Sequence, residues 1–91
     1  MILFSTVEQS FTVPGRGRII VPATVTNSES IVRNSDVIQL RHPNGTVIDT
    51  CIVSVELVKD RSGSRLALLL PIELPIGDVA PGMEIWVNDG R

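Results

Sequence analysis

Apolar and polar residues alternate with a period of two along most of this chain, and Gly, Pro, Asn and Asp cut the alternation at short intervals. In an extended backbone successive side chains point to opposite faces, so the pattern predicts strands joined by turns. No apolar stripe at helical spacing is sustained over three turns. A first strand is predicted over about Met1 to Val13, with Val7, Phe11 and Val13 on one face and Glu8, Ser10 and Thr12 on the other. Pro14-Gly15-Arg16-Gly17 ends it, because proline withdraws a ladder donor and glycine accepts positive φ. The second strand, Arg18 to Thr26, sets Ile19, Val21, Ala23 and Val25 opposite Arg18, Ile20, Pro22 and Thr24, and Pro22 calls for a bulge or an edge. Thr26 to Ser30 reads as a loop, after which Asp36 to Arg41 resumes the alternation with Ile38 and Leu40 pointing inward.

His42-Pro43-Asn44-Gly45 has the chemistry of a hairpin turn, since Pro presets φ and Asn-Gly tolerates left-handed backbone. The longest predicted strand follows, Thr46 to Val58. One of its faces holds Val47, Asp49, Cys51, Val53, Val55 and Leu57; the other holds Ile48, Thr50, Ile52, Ser54, Glu56 and Val58. Apolar residues on both faces imply a strand covered on both sides for part of its length, or bent at a barrel corner. Lys59 to Ser64 reads as a turn, Arg65 to Leu70 as a core strand and Met83 to Val87 as the closing strand. The segment from Pro71 to Gly82, with three prolines and two glycines, reads as an irregular crossing with a short turn at Gly77-Asp78. With no internal repeat or linker, residues 1 to 91 read as a single domain. The fold class expected is all-β: a small, closed, six- or seven-stranded antiparallel barrel.

Composition adds limits. The apolar fraction of 43% in 91 residues is enough for one core without staples, and that core should be aliphatic, since there are only two Phe, one Trp and no Tyr. The single Cys51 excludes an internal disulfide and a cysteine-based zinc site. Met-Ile-Leu-Phe lacks the basic flank and long apolar run of a signal peptide and reads as a strand, and no run approaches the ~20 apolar residues of a membrane-spanning helix. The expectation is a cytoplasmic protein with no membrane partner. The net charge of −2 and pI near 5.2 weigh against a dedicated nucleic-acid binder. Seven of the eight basic residues nonetheless precede Pro71, which leaves one region locally basic.

Four segments, read in order, carry a resemblance. Phe11-Thr12-Val13-Pro14-Gly15-Arg16-Gly17-Arg18-Ile19-Ile20-Val21 is a strand, a Pro-Gly-x-Gly turn and a strand. Asn34-Ser35-Asp36-Val37-Ile38 enters the next strand, Ile52-Val53-Ser54-Val55-Glu56-Leu57 follows, and Leu66 to Leu70 with Ile76-Gly77-Asp78-Val79-Ala80-Pro81-Gly82-Met83 closes the series. Together, over about residues 8 to 88, they resemble the second domain of elongation factor Tu and related translation GTPases. The resemblance implies a translation-protein barrel. The GTPase domain itself is not represented, for the chain has no Gly-x-x-x-x-Gly-Lys-Ser/Thr loop to cradle phosphates. A competing likeness is carried by Gly17-Arg18-Ile19-Ile20-Val21-Pro22-Ala23, which is similar to the Gly-Arg-Ile-x-Ile-Pro stretch of AbrB-type DNA-binding proteins. Those continue into a short Leu-rich helix, whereas Thr24 to Ser30 is β-branched and polar.

No converging nucleophile and base, paired carboxylates or metal-ligand spacing is evident, so neither catalysis, a cofactor nor a metal is expected. His42 sits in a turn and Cys51 among valines. The candidate partner-binding residues are Arg16, Arg18, Glu56, Lys59 and Trp86. Glu56 matches the Val-Glu-Met glutamate that in the resembled family helps hold the terminal adenosine of aminoacylated transfer RNA, and Lys59 falls where that family has a basic residue of the same pocket. Arg16 and Arg18 flank Gly17 on a tight turn, where two guanidinium groups suit phosphate or carboxylate. Arg41, Arg61 and Arg65 lie at other turns and strand ends, and Trp86 is expected to face outward beside Glu84. The functional expectation is a stand-alone, non-catalytic binding module for a protein or RNA partner. The alternative is a homodimer formed through Ile48, Ile52 and Val58 as an outer face.

Overall fold

The computed structural model describes residues 1–23, 32–61, 63–74 and 79–88. These form seven strands: β1 (Ile2–Val13), β2 (Gly17–Pro22), β3 (Val37–Arg41), β4 (Val47–Cys51), β5 (Ser54–Asp60), β6 (Gly63–Leu70) and β7 (Glu84–Val87). All neighbours are antiparallel, in the order β4-β3-β7-β1-β2-β6-β5. The loop expected at 26–30, the DNA-binding alternative's test segment at 24–30 and the turn at Gly77-Asp78 lie outside the described residues. Among the described residues no helix is long and apolar enough to cross a membrane.

The sheet bends where β1 and the β4–β5 run change partners. The first part of β1 pairs with β7 and the second with β2, with register shifts between Leu3 and Ser5 and between Val7 and Gln9. Strands that pass from one layer to the next through bulges form the corners of such folds. Both halves feed one core: Ile38, Leu40, Met83, Ile85 and Val87 from one, Ile20, Leu68 and Leu70 from the other, with Phe4, Val7 and Ile52 from the strands that link them.

The long strand expected over Thr46 to Val58 is broken in two. Ile52 bonds with the chain before β3, its amide donating to the Asp36 carbonyl (2.8 Å) and its carbonyl accepting from Ser35 (2.7 Å). The amide of Val53 donates to the Leu69 carbonyl of β6 (2.7 Å). The chain thus passes from one edge of the sheet to the other across a single peptide. Ile52 is 1% exposed, Val53 46%, and Val55 again packs against the core. Inward parity therefore flips at this corner, which accounts for the apolar residues on both faces.

Among the described residues no ladder joins β4 to β5, so the sheet is open as a hydrogen-bonded structure, in contrast to the closed barrel expected. The reason is geometric: at Ile52–Val53 the chain runs on instead of reversing, its backbone hydrogen bonds passing from Ser35 and Asp36 on one edge to Leu69 on the other, so β4 and β5 lie end to end. The chain and the Asn34 side chain, whose Oδ1 accepts from the Val55 amide at 2.8 Å, link the two edges instead.

Three further expectations are corrected. Phe11 does not share a face with Val7, because the bulge at Glu8 shifts parity and leaves Phe11 exposed. Ile48 and Ile52 belong to the core side, so the proposed dimer face through them does not exist as such; the exposed apolar residues of this run are Val47, Val53, Leu57 and Val58. The β5–β6 turn is also tighter than the expected Lys59 to Ser64, since pairing continues to Asp60 and Gly63.

Candidate functional site

The half made by β1, β2, β6 and β5 is apolar on both faces. Residues of the inward set (Ile20, Leu68, Leu70) alternate with Val21, Ala67 and Leu69, which are buried yet stand apart from the main core. Strand alternation puts these three on the outer face together with Ile19 and Phe11. Ala67 is fully buried there, so side chains must cover it from outside.

The cover is polar. Glu56 pairs directly with Ala67 across β5 and β6, and Arg16 reaches over from the β1–β2 turn, its Nη2 donating to Glu56 Oε2 at 2.6 Å. The hydroxyl of Ser54, two residues earlier on the same face, donates to the same oxygen at 2.7 Å. These contacts hold the Glu56 carboxyl below its usual range, the Ser54 hydrogen bond first and the Arg16 guanidinium second, against a smaller opposing effect of burial. On the far side of the floor Arg65 pairs with Glu8 and also donates to the Pro22 carbonyl at 2.9 Å. An apolar strip between two Arg–Glu pairs is the outcome, with Phe11 exposed along it.

Of the five sequence candidates, the structure brings two together, Arg16 and Glu56. Arg18 does not join Arg16. Gly17, at φ +138°, turns the chain so that Arg16 leaves toward the outer face while Arg18 goes inward to Ser10. The two guanidinium groups therefore stand on opposite faces of the sheet. Lys59 lies three residues beyond Glu56 on a regular strand and so projects from the opposite face.

Trp86 belongs to the other half. Its Nε1 donates to Glu84 at 2.9 Å, as expected from their shared face, and the Arg41 guanidinium lies 4.1 Å from the ring centroid. Arg41 also donates to Gln39, which donates on to Asp49 at 2.9 Å, making a polar ladder across β7, β3 and β4. Sequence reading missed Ser54 and Glu8. The first had a signal, its i−2 position to Glu56; the second needs the long-range register of β6 against β2.

Comparison with protein-family models, with curated proteins and with solved structures returns no match.

Proposed function

We propose that this chain is a non-catalytic binding module that engages its partner through the outer face of β1, β2, β6 and β5, centred on Arg16 and Glu56. One observation carries the reading: an ion pair at 2.6 Å, braced by Ser54, on the strand position directly across from the buried Ala67. A carboxylate held ionised beside a guanidinium offers an acceptor and a donor to a polar ligand, and the exposed Phe11 ring offers a surface for a flat or apolar group. In this reading the curled sheet acts as a barrel of the translation-protein type, its edges joined at Ile52–Val53. The partner class follows from the resemblance of the Ile52 to Leu57 segment, which points to the acceptor end of a transfer RNA, with a protein as the other class.

The experiment is fluorescence anisotropy with labelled aminoacylated transfer RNA, with E56A and R16A beside the unaltered chain. Saturable binding weakened at least tenfold in both variants supports the reading. Binding that is absent, or unchanged in both, rejects the RNA form.

A further inference from the structure

One end of the inner face carries a charge among apolar neighbours. Arg18 pairs across β6 with Leu70 and precedes Ile20 by two residues, and both are fully buried. It is itself only 6% exposed. Among the described residues its guanidinium makes one polar contact, Nη1 donating to the Ser10 hydroxyl at 3.3 Å, and its Nε is buried with no partner. A buried cation with so little compensation destabilises the fold, and an apolar side chain of similar length is the more stable choice. A ligand that supplies the missing acceptors would offset that cost.

Arg18 is one of the residues lining a pocket of about 200 Å³ between the β1–β2 turn and the chain leaving β6. The remaining walls are mostly apolar, from Val13, Pro14, Pro71, Ile72 and Leu74, and among the described residues no acidic side chain lines it. Its frame is tight, since Gly17 lies against the backbone of residues 70–72. We propose that this pocket binds a small organic carboxylate, its apolar body against Pro71, Ile72 and Leu74 and its carboxylate on Arg18. A guanidinium presents a planar fork of donors that matches two carboxylate oxygens, and Ser10 takes up Nη1 alone. The volume is below the ~300–1,000 Å³ of pockets for drug-sized ligands, which favours a small ligand. A free phosphate leaves the apolar walls unused. The site is separate from the partner face, because Arg16 leaves the same turn on the other side.

The test is a titration followed by ¹H–¹⁵N spectra, with hexanoate, hexanamide and inorganic phosphate as probes and the Arg18 Nε–H signal as the direct readout. Hexanoate is expected to shift that signal and the amides of Val13, Gly15, Gly17, Ile72 and Leu74 saturably, with hexanamide and phosphate at least tenfold weaker. R18M is expected to lose the hexanoate response while melting at or above the temperature of the unaltered protein. The proposal is overturned if hexanamide or phosphate matches hexanoate, or if no probe shifts the Arg18 signal. It is overturned equally by an R18M protein that keeps the response. Should R18M fail to fold, Arg18 is a structural residue and the stability argument falls, and the comparison of hexanoate with hexanamide on the unaltered protein decides the site.

Discussion

Replacing Gly17 by alanine perturbs the point at which the β1–β2 turn meets the end of β6. Gly17 has φ +138°, and a Cβ built there stands 2.3 Å from the Leu70 carbonyl oxygen, 3.2 Å from the Ile72 nitrogen and 3.4 Å from the Pro71 carbonyl carbon. All three are backbone atoms, so no rotamer change relieves the contact. The conformation alone costs an L-residue roughly 1–3 kcal/mol. Moving the Leu70 carbonyl away disturbs the pairing of Arg18 with Leu70, worth about 1 kcal/mol for each hydrogen bond lost. With one bond lost the sum is roughly 2–4 kcal/mol, a large share of the ~5–15 kcal/mol that holds a typical domain. Gly15 is the control, since its φ of +78° is also positive but nothing lies within 4 Å of its added Cβ. G15A should cost only about 1–2 kcal/mol. Urea unfolding followed by the fluorescence of Trp86 measures both, and G17A should lower the midpoint by more than ~1 M. A G17A protein no less stable than G15A would refute the packing argument, and with it the account of why Arg16 and Arg18 diverge.

Other expected outcomes are as follows. I52A should cost about 2–5 kcal/mol and V53A less than ~1 kcal/mol in the same assay, because the first fills the core and the second is half exposed; similar costs would contradict the corner between them. Ser35, with φ +74°, holds a left-handed conformation, so S35G should stabilise by about 0.5–1 kcal/mol, and a destabilised variant would contradict that assignment. The depressed Glu56 carboxyl contributes stability above its unfolded value near 4.5, and loses that contribution as pH falls through its lower folded value. Thermal melts should therefore show E56Q less stable than the unaltered chain at pH 7, by no more than ~1 kcal/mol, with the gap closing in acid; a gap that widens in acid has the wrong sign. R41A should shift the emission of Trp86, and an unchanged spectrum would contradict the 4.1 Å stacking.

Alternation and turn chemistry made the strands legible. The His42 to Gly45 turn is an example: Asn44 Oδ1 accepts from Thr46, and Gly45 takes φ +96°. Parity was harder to read. Pro22 did signal the bulge that lies opposite it at Glu8, though not that Phe11 would turn out; the bulge near Leu3 and the corner at Ile52–Val53 carry no Gly or Pro, so nothing local announces that Ile52 turns in. The open edges followed from the same corner. At the site, Arg16 and Glu56 were each legible as candidates, but their contact spans forty residues and depends on the register of three strands. Arg18 looked like a second surface arginine, and only the placement of Gly17 sends it inward.

The most direct test of the central claim is a map of amide shifts in the ¹⁵N-labelled chain as aminoacylated transfer RNA is added. Perturbations concentrated at Phe11, Arg16, Ile19, Ser54, Glu56 and Ala67 are the expected result. Perturbations confined to Gln39, Arg41, Glu84 and Trp86 would place any interface on the wrong half and contradict the account.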